Sequence, residues 1–112
     1  MKSKRLVFRP EAEAELIELY RYIAHASGSI DVAFKFTERL RTACFTLVDF
    51  PERGAPRDEI KAGLRILTDE RKTVIAYFVR GDNVIINNIF HAGRDWEMTF
   101  LNDDDSPPPA KE

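Results

Sequence analysis

The chain holds one cysteine, two histidines and five glycines, and no apolar run approaching the ~20 residues that span a membrane. The lone Cys44 excludes an internal disulfide. Cys44, His25 and His91 lie far apart in sequence and do not supply the ligand set of a structural zinc site. A strong charge of one sign is also missing. Residues 1–102 carry 16 Lys+Arg against 15 Asp+Glu, a balance of +1, while 103–112 carry one lysine against four acids, a balance of −3. Affinity drawn from nucleic-acid phosphates needs a clear basic excess, so this balance argues against nucleic acid as the main target. The basic start Met1-Lys2-Ser3-Lys4-Arg5 precedes only Leu6-Val7-Phe8, shorter than a signal-peptide core, and the expectation is a cytoplasmic protein away from the membrane.

What is present is one domain's worth of ordinary globular sequence, 112 residues with 44% hydrophobic and 32% charged. A first strand is expected over Lys4–Phe8. Pro10 then suits the first position of a helix, and Glu11, Glu13 and Glu15 favour the positive end of its dipole. Ala12, Leu16, Leu19, Tyr20 and Ile23 form one apolar stripe, which Gly28 stops. A second helix starts near Ser29 or Asp31 and carries Ala33, Phe36, Leu40, Ala43, Leu47 and Phe50 at spacings of three and four, widened by Cys44 and Val48 and ended by Pro51.

After a Pro/Gly loop over Pro51–Arg57 the period falls from 3.6 to 2. Strands are expected over Leu64–Thr68, Thr73–Arg80 and Val84–Phe90, with a hairpin turn at Gly81-Asp82-Asn83. Trp96–Leu101 reads as a short closing helix. The domain thus spans 1–101, and the acidic, proline-rich stretch 102–112 is expected to be disordered. The order β-α-α-β-β-β predicts a two-layer α+β fold, a helical hairpin packed on a mostly antiparallel sheet. Thr73–Arg80 is apolar on both faces, more than one helical layer requires. Either a permanent partner covers the second face or the terminal segment folds back over it.

Five local patterns, in order and at matching spacing, resemble the bacterial RelE/ParE superfamily of toxin–antitoxin proteins, and its ParE-type toxins in particular. They are Pro10-Glu11-Ala12, similar to the family's Ser-Pro-Glu-Ala helix opening but with Arg9 in place of the capping serine; Phe50-Pro51-Glu52-Arg53-Gly54, similar to its Pro-x-x-Gly link; Gly63-Leu64-Arg65; Ile75-Ala76-Tyr77-Phe78-Val79; and His91-Ala92-Gly93-Arg94-Asp95, similar to its His-x-x-Arg-Asp ending. The likeness covers about residues 5–97. It implies the RelE-like fold, no cofactor, and a cognate antitoxin of the ParD kind, with DNA met only through the antitoxin complex.

Two activities are associated with this fold, ribosome-dependent mRNA cleavage in RelE-like members and inhibition of DNA gyrase in ParE-like members, and the fold alone does not choose. A nuclease needs an acid, a base and cations around the phosphodiester; the candidates are Arg65, His91 and Arg94. Where RelE-like enzymes concentrate basic residues with a tyrosine or histidine near the C-terminus, this chain has Glu97-Met98-Thr99-Phe100-Leu101 followed by three aspartates. That departure favours a gyrase inhibitor that is not an enzyme, with the endonuclease and a non-toxic antitoxin-binding homologue as alternatives. Candidate contacts to antitoxin or target are Arg65, Tyr77, Arg94 and Trp96. His91 and Asp95 are expected to be structural, His91 by donating to a backbone carbonyl at the strand end and Asp95 by pairing with Arg65. Cys44 is expected to be an inert core thiol.

Overall fold

The computed structural model describes residues 4–69, 72–91 and 96–101. Their elements follow as β1 (Arg5–Phe8), α1 (Pro10–Ser27), α2 (Ile30–Thr46), β2 (Ala55–Pro56), β3 (Arg65–Asp69), β4 (Thr73–Arg80), β5 (Asn83–His91) and α3 (Glu97–Leu101). The stretch 102–112, expected to be disordered, lies outside the described residues.

Local chemistry accounts for the helical hairpin. Pro10 opens α1 beneath an extended Arg9 whose side chain makes no cap hydrogen bond, and Gly28 closes it by donating its N–H to the Ala24 carbonyl. One residue later the Ser29 hydroxyl accepts from Val32 N at 3.1 Å and caps α2. Expected to run to Phe50, α2 instead ends at Thr46. The N–H groups of Leu47, Val48 and Asp49 bond the carbonyls three residues back, so the chain tightens into successive turns ahead of Pro51. Leu47 stays fully buried, whereas Phe50, expected on the buried stripe, is 65% exposed.

The five strands form one sheet in the order β1-β5-β4-β3-β2, with β1 parallel to β5 and the other pairs antiparallel. β4 is central, as its apolar faces require. The two-residue β2 falls in the stretch expected to be loop, with Pro56 on the sheet edge where a missing N–H is tolerated. Facing the helices, Ile75, Tyr77, Val84, Ile86 and Ile89 pack on Leu16, Leu19, Leu40, Cys44 and Leu47. On the other face, Leu64, Ile66, Ala76, Phe78 and Phe90 are closed by Phe100, with Trp96 and Ile60 at the margin. Folding back of the terminal segment thus covers the second apolar face.

One register feature was invisible beforehand. Asn88 pairs with Ala76 and Ile86 with Tyr77, so Asn87 is an extra residue in β5. A strand alternates faces with period two, and one added residue inverts the phase. That is why Ile86 and Ile89, three apart, both face the helices while Phe90 reaches the opposite cluster. The β1–β5 pairing ends at Phe8↔Ile86, so beyond that point β5 is paired with β4 on one side and with no described strand on the other. Glu15 of α1 fills that gap: Oε1 accepts from Ile89 N at 2.7 Å, and Oε2 accepts from Asn88 Nδ2 at 3.1 Å. Grouped by sequence with Glu11 and Glu13 for a dipole role, Glu15 lies beyond the first turn of α1. Replacing Glu15 with Ala strands two part-buried donors and should lower stability by about 2 kcal/mol, read as a shift of the urea midpoint at constant slope.

Candidate functional site

The loop between α2 and β3 is fixed by one buried phenol and one guanidinium. Tyr77 is fully buried, and its hydroxyl donates to the Pro51 carbonyl at 2.8 Å and accepts from Gly54 N at 2.8 Å. Burial raises the phenol's pKa above its ordinary value, more than the hydrogen bond from Gly54 and the charge of Arg65 lower it, so the hydroxyl keeps its donor proton. Arg65 Nη1 donates to the carbonyls of Gly54 at 2.6 Å and Glu52 at 3.1 Å. These contacts give the Pro-x-x-Gly and Gly-Leu-Arg patterns a structural reason. Gly63, at φ 83°, bonds the Asp58 carboxylate through its N–H, Leu64 enters the second core, and Arg65 clamps the loop. Tyr77, proposed from sequence as a contact residue, therefore presents no surface. Arg65 spends two of its donor bonds on backbone; Asp95, its expected partner, lies outside the described residues, as does Arg94.

His91 ends β5 on the helical side. Its Nδ1 shares a 2.9 Å hydrogen bond with the Thr73 hydroxyl, in place of the backbone carbonyl expected, and its ring packs against Phe36 at 5.6 Å and Tyr22 at 6.2 Å. Burial first, and the charge of Lys72 second, lower its pKa. The unfolded chain therefore binds the proton more readily than the folded one, and stability contributed by the neutral imidazole is lost as pH falls below about 6.5. A His91→Gln variant should flatten the pH dependence of the unfolding midpoint between about pH 5 and 7, a window in which the wild-type chain should lose stability with acid.

Arg65 and His91 do not converge. Their ladder partners on β4, Tyr77 and Thr73, are four residues apart, which at strand rise separates them by roughly 13 Å. Trp96 sits half-buried on the second core, edge-on to Phe100 at 6.3 Å, with the Arg57 guanidinium 5.3 Å from its ring centre. Arg57 also bonds Glu97 at 3.2 Å and so ties α3 to the loop ahead of β3. Cys44 lies in the first core, its thiol pushed up by burial to about 12. Among the described residues no three or more His, Cys, Asp or Glu side chains gather as a metal site, and no helix is long and apolar enough to cross a membrane.

The surface that sequence patterning missed lies on the outside of the helical hairpin. Ile17, Phe34 and Phe45 are 48%, 54% and 65% exposed. Ile17, Tyr20 and Phe34 border a groove of about 200 Å³ between α1 and α2, and Leu6, Phe8 and Phe45 border a second of about 300 Å³ between α2 and β1. β1 lies at one edge of the sheet and, among the described strands, pairs with β5 alone, so its other side offers an edge for strand pairing. Each exposed side chain follows directly on a stripe residue, Leu16, Ala33 or Cys44. That doubling of apolar positions was the available signal: a helix needs only one of each pair to bury its inner face.

A sheet of this order with a helical hairpin on one face is a fold already seen in a toxin–antitoxin structure. The chain is similar to a protein of the "Chromosomal ParDE TA system from P. aeruginosa", with a TM-score of 0.71 and 24% identity, over 80% of this chain and 97% of that one. No curated protein matches the chain in sequence. Residues 6–96 match the family described as ParE toxin of type II toxin-antitoxin system, parDE, and the chain belongs to that family.

Proposed function

We propose that the chain is a toxin that inhibits DNA gyrase and is neutralised by a cognate antitoxin of the ParD kind, acting in the cytoplasm and reaching DNA only within the antitoxin complex. Family membership over residues 6–96 carries the toxin assignment. The antitoxin's place is supported by the exposed apolar outer side of the hairpin beside the open edge of β1, a combination that suits a segment adding a helix to a groove and a strand to an edge. Inhibition by binding is supported by what the candidate nuclease groups do: Arg65 is engaged by backbone carbonyls, and His91 by Thr73 and two aromatic rings, apart from Arg65. Arg94 and Trp96, close in sequence to α3, are proposed target contacts, and Asp95 a structural partner within the same corner.

Expression without antitoxin separates the possible targets. A gyrase inhibitor should provoke filamentation and the DNA-damage response while translation continues. Prompt translation arrest with transcripts cut at defined positions would instead establish the endonuclease. Unimpaired growth at strong expression would identify a non-toxic homologue.

A further inference from the structure

The two surface grooves share one charged side chain. Arg41 of α2 lines both the hairpin groove, with Ile17 and Phe34, and the groove beside β1, with Phe8 and Phe45. It forms ion pairs with Glu13 Oε1 at 3.7 Å and Glu38 Oε2 at 3.8 Å, both longer than a hydrogen bond, so an incoming carboxylate would compete with these two for its donors. Its carbon stands 5.8 Å from the centre of the Phe8 ring, and the side chain is 43% exposed. A guanidinium is a planar fork of five donors suited to a carboxylate, and an apolar border strengthens such a pair by excluding water.

The charges around the two grooves differ. The hairpin groove has Glu38 as well as Arg41 in its wall, whereas Arg41 is the charged residue lining the groove beside β1. An anion arriving over the hairpin faces the like charge of Glu38. One arriving on the β1 side meets Arg41 between Phe8 and Phe45. The same arginine therefore attracts an acid at one position, and its neighbour rejects it at the next, which is how an interface discriminates among partners of similar hydrophobicity.

We propose that Arg41 determines antitoxin specificity: the antitoxin segment places an apolar side chain in the hairpin groove and an aspartate or glutamate on Arg41 at the β1 side. This rests on the toxin–antitoxin assignment above. Affinity is measured between the purified antitoxin encoded beside this chain and four forms of the full chain, wild-type, Arg41→Lys, Arg41→Ala and Arg41→Glu, each checked for an unchanged thermal midpoint.

Arg41→Ala should weaken binding by about 30-fold and Arg41→Glu by at least about 300-fold, with Arg41→Lys between wild type and Ala because it keeps charge without the fork. Changing one acidic residue of the antitoxin to Lys should return Arg41→Glu to within about tenfold of wild type. Equal binding by all four forms, or a loss in Arg41→Glu that no single acid-to-Lys change repairs, overturns the role of Arg41 and leaves the toxin–antitoxin assignment standing. Failure of the wild-type chain to bind the antitoxin removes the assignment itself. Sedimentation of the free chain as a dimer that Arg41→Glu dissociates would give the groove to a second copy, which also contradicts the proposal.

Discussion

Gly54→Ala should lower stability by about 3 kcal/mol and the thermal midpoint by roughly 15 °C, among the largest losses expected from a single methyl in this chain. A Cβ at position 54 would stand 2.7 Å from both Cε1 and the hydroxyl of Tyr77 and 3.0 Å from the Ile66 carbonyl. None of these can retreat cheaply. The tyrosine ring is fully buried, its hydroxyl is bonded to Pro51 and Gly54, and the Ile66 carbonyl belongs to β3. Relief of the clash breaks the bond from Gly54 N and loosens the carbonyl that Arg65 holds. Thermal unfolding of Gly54→Ala, Tyr77→Leu and the double variant checks the mechanism. In the Leu background the cost of the added methyl should shrink, because the ring it strikes is gone. Additive losses would show that the contact with Tyr77 is not the cause.

The second large effect is on binding rather than folding. Phe34→Asp should weaken the antitoxin complex by about 100-fold or more while leaving the thermal midpoint nearly unchanged. Phe34 is 54% exposed and lines the hairpin groove, so the free chain loses little packing when it is replaced. On the proposed reading this groove receives an apolar side chain of the antitoxin, and a carboxylate there is desolvated against a group that gives it no hydrogen bond, with the like charge of Glu38 in the same wall. Titration calorimetry with the purified antitoxin gives the affinity directly. Unaltered affinity would move the antitoxin off the hairpin.

Much of this architecture was legible in the residues. Pro10, Gly28, Ser29 and the spacing of Leu16, Leu19, Leu40 and Leu47 announce the hairpin, because caps and periodicity act within one turn of the chain. The two-faced β4 announced a second layer, which Phe100 and Trp96 supply. What stayed hidden depends on contacts between distant elements. The extra residue at Asn87 shifts the phase of β5, and Glu15 completes the strand edge 74 positions away in sequence. Neither leaves a local pattern. Tyr77 illustrates the same limit at the site: its partners are the backbone of Pro51 and Gly54, which no side-chain motif reports. The grooves were in principle visible through Ile17, Phe34 and Phe45, but single exposed apolar residues are common, and only their grouping beside the open edge of β1 gives them meaning.

The central claim, a toxin that acts by binding gyrase and is silenced through its helical hairpin, is tested most directly by supercoiling. Purified gyrase is titrated with the free chain, with and without a stoichiometric excess of antitoxin, in parallel with Phe34→Asp. Supercoiling should fall with wild-type chain, recover when antitoxin is added, and stay low with Phe34→Asp plus antitoxin. Unchanged supercoiling at high excess of free chain would contradict the claim.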